Sequence, residues 1–110
     1  MEIAAVQGMG PKVANGIVSV SRYIYTLDSP RNTAFVTKYK AASKGEVPSQ
    51  YSESSYAAGY LLVKGIEKAG SVDTDRAIKA FEGIQLDLPS GMVTIRPGDH
   101  QALHDKYIIR

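Results

Sequence analysis

The feature that most limits how this chain can fold is a helix that is apolar on nearly every side. From about Tyr51 to Ala69 the sequence has no proline, and Gly70 follows where a C-terminal cap would sit. The middle of this stretch, Tyr56-Ala57-Ala58-Gly59-Tyr60-Leu61-Leu62-Val63, offers no polar face, whereas Lys64, Glu67 and Lys68 make its last turns amphipathic. The longest apolar run, Ala57 to Val63, is far shorter than the ~20 residues that span a bilayer. Protein, not lipid, is therefore expected to enclose this helix.

The rest of the chain supplies little for that purpose. Residues 1–7 read as the end of a helix, broken at Gly8-Met9-Gly10-Pro11, where both glycines are expected to serve a turn with positive φ. Gly16 to Tyr25, rich in β-branched and aromatic residues, predicts a buried strand. Asp28-Ser29-Pro30 opens a helix that should end near Ser43, with Phe35, Val36 and Tyr39 on one stripe and Gly45 as its stop. Asp73 or Thr74 caps another helix through Phe81, expected to bury Ala77, Ile78 and Phe81. Leu88-Pro89-Ser90-Gly91 is a turn, Met92 to Ile95 a short strand, and Leu103 to Ile109 a last strand. So few strands cannot cover a helix that is apolar all round, which predicts that the covering sheet belongs to a larger protein.

Composition removes whole classes of function. The formal charge is +2, and thirteen Lys and Arg are scattered among eleven Asp and Glu without a basic cluster, so no nucleic-acid partner is expected. With no cysteine there is no disulfide, thiolate nucleophile or cysteine zinc site. Gly8-Met9-Gly10 lacks the third glycine of a dinucleotide loop, since position 13 is Val13. His100 and His104 have a helical metal spacing, yet they lie in a segment read as turn and strand and no third ligand accompanies them. Ser90 before Gly91 reads as a turn residue rather than a nucleophile, and Asp73 and Asp75 sit at a helix start, where the macrodipole favours them. No enzyme activity, metal or cofactor is expected. Seven tyrosines are the remaining candidates for ligand contact. Tyr23 and Tyr25 end the predicted strand, where ligands of open α/β sheets collect, and are expected to line or border a pocket; Tyr56 and Tyr60 are expected in the core.

The order of these pieces resembles a known family. Tyr23-x-Tyr25, Leu27-Asp28-Ser29-Pro30-Arg31-Asn32-Thr33-Ala34-Phe35-Val36 and Tyr39, Pro48, Tyr56-Ala57-Ala58, and Ile66-Glu67-Lys68-Ala69-Gly70-Ser71-Val72-Asp73 are similar to the solute-binding proteins of ABC importers for branched-chain amino acids, amides and urea. Pro89 to Ile95 and Asp99-His100 continue the likeness, most closely to the amide and urea branch. Where many relatives have Tyr-Asp-Ala in the long helix this chain has Tyr56-Ala57-Ala58.

The resemblance implies an α/β fold, the C-terminal third of a bilobed type I periplasmic binding protein whose parallel sheets are flanked by helices. Residues 1–25 would belong to the second lobe, 26–89 to the first, and 90–110 would return to the second. The crossing segments at Thr26 and Leu27 and at Pro89, Ser90 and Gly91 would act as hinges. The implied partners are a small polar solute and an ABC transporter permease, and the implied location is the periplasm, with any signal peptide outside this chain. Two rivals are a cytoplasmic amide-type sensor that regulates gene expression through a protein partner and, from a different class, a small metal-dependent hydrolase built on His100 and His104. The isolated chain, with its apolar helix uncovered, is expected to form a homo-oligomer, exchanging elements with a second copy.

Overall fold

The computed structural model describes residues 3–110. The described residues form α1 (Ile3–Met9), α2 (Pro11–Ala14), β1 (Ser19–Ser21), α3 (Pro30–Ala42), α4 (Gln50–Ala69), α5 (Thr74–Phe81), β2 (Gln85–Leu88), β3 (Gly91–Ile95), β4 (Ala102–Leu103) and β5 (Tyr107–Ile109). The three longer helices start where side chains can cap them. Ser29 accepts the Asn32 amide ahead of Pro30, Ser49 accepts the amides of Tyr51 and Ser52, and Asp73 accepts that of Arg76.

These elements gather into two layers. In one, β1 pairs antiparallel with β5, Ser19 opposite Ile109, and Ile3 and Val6 of α1, which packs on α2, share a small cavity with Ile109. In the other, α4 packs on α5, α3 meets β2, and β2, β3 and β4 form an antiparallel sheet. The chain passes between the layers at residues 22–29 and again at residues 104–106. The radius of gyration, 16.1 Å, exceeds the about 13 Å of a compact domain of this length, and the extents are 52 × 30 × 22 Å.

The core lies wholly in the second layer. Leu86, Leu88, Val93 and Ile95 are buried, and Ala57, Tyr60, Leu61, Phe81 and Ile84 pack against them. Burying each of the four contributes roughly 1.5–3 kcal/mol. α4 crosses α5 closely because position 65 is glycine: a Cβ there would lie 1.9 Å from Cε1 of Phe81. The other side of α4 is bare, with Leu62 52% and Val63 51% exposed. The helix is thus covered on one side only.

Several expectations need correction. The strand predicted over Gly16–Tyr25 shrinks to Ser19–Ser21, because its partner β5 offers only three residues to pair with. The last strand, expected from Leu103 to Ile109, is two pieces in different sheets, β4 beside β3 and β5 beside β1. The strand β2 went unforeseen, although Gln85-Leu86-Asp87-Leu88 alternates and buries both leucines. In α5 the buried residues are Ala77 and Ala80, while Ile78 faces outward, 42% exposed. Gly8 stays within α1; of the first two glycines only Gly10 takes a positive φ. Every strand pair among the described residues is antiparallel.

Candidate functional site

The polar chemistry of the molecule concentrates where the two layers meet. Leaving β1, the chain places Arg22 and Tyr23 against α3 and α4. Tyr23 is 3% exposed and donates its hydroxyl to Asn32 Oδ1 at 2.9 Å, with Phe35 edge-on to its ring. Burial, assisted by the negative charge of Glu53, pushes the Tyr23 hydroxyl well above its ordinary pKa. Asn32, 1% exposed, returns two hydrogen bonds from Nδ2 to the carbonyls of Tyr25 (2.9 Å) and Leu27 (2.8 Å). One side chain of α3 thereby fixes the whole crossing segment.

On α4 the matching anchor is Glu53, 1% exposed. Its place in the first turns suits a carboxylate, because the helix N-terminus carries partial positive charge. Arg22 Nη2 reaches Glu53 Oε2 at 3.1 Å and also meets Ser54 Oγ and the carbonyl of Gln50. Ser90 Oγ donates to the other oxygen, Oε1, at 2.8 Å. The carbonyl of Ser90 in turn accepts the Tyr107 hydroxyl at 2.8 Å. Burial, and then Asp105 and Glu53, raise the Tyr107 pKa. Gly91, with φ 104°, lets the turn come this close: a Cβ would stand 3.0 Å from the Tyr107 oxygen.

The residues singled out in the sequence fall around this cluster. Tyr23 and Tyr25 border one small cavity of about 30 Å³, shared with Ile3, Val6, Gln50 and Ile109. That volume holds a water or two and no solute. Beside it a groove of about 610 Å³ runs between α1 and the α3–α4 connection, past Gln7, Tyr39, Glu46 and Ser52, and its size falls within the range of ligand clefts. Thr26 is exposed in a turn, Leu27 is half-buried, Pro89 and Ser90 are buried, and Gly91 is half-buried at the start of β3. Tyr60 packs on the core and takes a hydrogen bond from Arg31 at 3.0 Å, but Tyr56 is 39% exposed, its ring stacked on Tyr60 and tilted against Phe35. His100 faces Glu82 at 3.6 Å and His104 Nδ1 lies 2.9 Å from its neighbour's carbonyl. Among the described residues no three His, Asp or Glu side chains gather as a metal site.

Arg22, Asn32, Glu53 and Tyr107 escaped the sequence reading as site residues, yet two of them carried a signal. Glu53 precedes Ala57, Tyr60 and Leu61 on one stripe of α4, and Asn32 precedes Phe35, Val36 and Tyr39 on one stripe of α3. A polar residue on an apolar stripe is buried with it, and a buried polar group requires partners.

Comparison with known proteins gives the same reading at the level of family. A solved ABC-type branched-chain amino acid transporter protein from Rhodopseudomonas palustris is 28% identical, with a TM-score of 0.84 over 98% of this chain and 29% of its own. An amino acid ABC transporter substrate-binding protein from Pseudomonas fluorescens is 29% identical, with a TM-score of 0.86 over 96% of this chain and 28% of its own. A solute-binding protein of an ABC transporter from R. palustris, solved with 3,4-dihydroxybenzoic acid, is 28% identical, with a TM-score of 0.80 over 84% of this chain and 26% of its own. The chain thus spans under a third of the length of these structures. No curated protein matches it by sequence. The model of the periplasmic binding protein family matches residues 1–110 without interruption, and this chain, an α/β arrangement of two layers joined at a buried polar junction, belongs to that family.

Proposed function

We propose that this chain forms the hinge-bearing portion of an ABC-importer receptor, which captures a small polar solute outside the cytoplasm and presents it to a membrane permease. The observation that carries the reading is the family match along the whole chain. Branched-chain amino acids, amides and urea are the proposed solutes, and aromatic acids join them because a relative was solved with one. Capture breaks no bond. Ligand contacts made by both lobes favour the closed form, and moving the equilibrium from 1:99 to 99:1 takes about 5.5 kcal/mol of differential binding.

In this reading residues 1–25 belong to the second lobe and 26–89 to the first, with the return to the second completed within 90–110; the pairing of β5 with β1 supports that return. Thr26 and Leu27 lie in the first passage and take up the dihedral change there; Pro89, Ser90 and Gly91, proposed with them, form the β2–β3 turn that Tyr107 holds beside the second passage, and Tyr23 and Tyr25 border the cleft. The bare side of α4 supports a further expectation, that the 110 residues alone self-associate. Calorimetric titration of the complete protein with leucine, acetamide, urea and benzoate tests the function. Saturable binding of one of them is the expected result, and heats of dilution alone for every such solute would remove it.

A further inference from the structure

We infer that Glu53 is the positioning residue of the hinge, a single buried carboxylate that sets how the two layers sit relative to each other. It builds on the reading as a two-lobed receptor, but it stands on contacts within this chain. Both oxygens of Glu53 are committed, and the groups they hold lead to different segments. Arg22 belongs to the passage out of β1, and Ser90 to the β2–β3 turn, whose carbonyl holds Tyr107 at the start of β5. These are the two places where the chain passes between layers, at residues 22–29 and 104–106. Rotating the β1–β5 ribbon against the helical layer moves Arg22 and Tyr107 together, so the motion must strain or break the Arg22–Glu53 bond and the bond from Tyr107 to Ser90, the serine that Glu53 holds in place. At 1% exposure the carboxylate finds no water in exchange.

Alternatives elsewhere in the molecule are weaker. The groove flanked by Arg31, Lys38, Phe35 and Tyr56 has nothing to indicate its occupant, and the Arg96–Asp99 pair is exposed at a hairpin tip. At Glu53 every ligand of one buried charge comes from a different stretch of chain, which ordinary packing does not require.

The test uses the complete protein without any solute. Spin labels at Val18 and Val72, exposed positions in opposite layers, report the interlayer distance by pulsed electron resonance. The parent should give one narrow distribution. Glu53→Gln keeps the shape but loses the ion pair with Arg22, and Ser90→Ala removes the partner of Oε1; each should broaden or displace the distribution. The double variant loses both bonds and should move the distribution at least as far as the larger single effect. A lowered melting temperature with an unchanged distribution in both variants would reduce Glu53 to a packing residue and overturn the inference. Should Glu53→Gln fail to fold by circular dichroism, Ser90→Ala decides by the same criterion. Failure of solute binding in calorimetry would leave these distances, and hence this result, untouched.

Discussion

Replacing Tyr23 by phenylalanine removes one oxygen atom from the best-buried polar contact of the junction, and its cost should depend on pH in a calculable way. At neutral pH the change deprives Asn32 Oδ1 of its 2.9 Å donor at a site only 1% exposed. An unsatisfied buried acceptor costs about 1–3 kcal/mol. Above pH 10 a second effect opposes the first. The Tyr23 pKa is raised in the fold by burial and by Glu53, so the folded chain keeps a proton that the unfolded chain releases. Stability from this group is complete below the ordinary tyrosine value of 10.0 and is lost as pH rises beyond it. At pH 11 the loss is about 1.4 kcal/mol for the parent and zero for Tyr23→Phe, which has no proton to release. Tyr107, also raised, contributes equally to both proteins and cancels. Urea unfolding of the complete protein at pH 8 and pH 11, followed by circular dichroism, should therefore show the gap between the two narrowing by about 1.4 kcal/mol. Parallel loss of stability in both, with a constant gap, would mean that Tyr23 ionises freely and would refute the buried pairing.

Two further perturbations reach other parts of the structure. Gly65→Ala gains about 1 kcal/mol of helix propensity but drives a methyl group into Phe81; overpacking of about 1–3 kcal/mol should leave a net loss of up to about 2 kcal/mol in urea unfolding, largely restored by adding Phe81→Leu. At the β3–β4 hairpin the Arg96 guanidinium, and then the Gln101 amide, hold the Asp99 carboxyl down to about 2, so its carbon-13 titration should have its midpoint there and move up toward 3.8 in Arg96→Ala. The depressed value makes the pair's contribution complete above about pH 4 and lost as pH falls toward 2.

Helices were legible because their signals are local. Ser29-Pro30, Tyr51 and Asp73 mark starts that the structure reproduces to within a residue or two, and the apolar middle of α4 announced cover on every side, of which the chain's own β2 and β3 supply one. Strands were not, since a strand's length is set by its partner. Gly16–Tyr25 has the composition of a long strand, yet three residues of β5 are all that lie opposite it. Gln85–Leu88 was passed over because two buried leucines in four residues are too little to stand out from a loop. For the site, the turn at Ser90-Gly91 was visible as a turn, but nothing in a turn says that its serine reaches a carboxylate 37 residues earlier. Glu53 and Asn32 were the readable exceptions, each a polar interruption of an apolar stripe.

The reach of these contacts along the chain bears on how the molecule comes together. Arg22 meets Glu53 across 31 residues, Ser90 meets it across 37, and the ribbon that joins Ser19 to Ile109 closes almost the entire length. Loop-closure entropy opposes each of these pairings until the intervening chain is organised, whereas α3, α4 and α5 can form from neighbours alone. The carboxylate is therefore sealed late, after the helices exist, and the same contacts should be among the earliest to let go when the protein is stressed. A fold whose longest-range contacts close last keeps its polar junction, rather than its helices, as the least durable region.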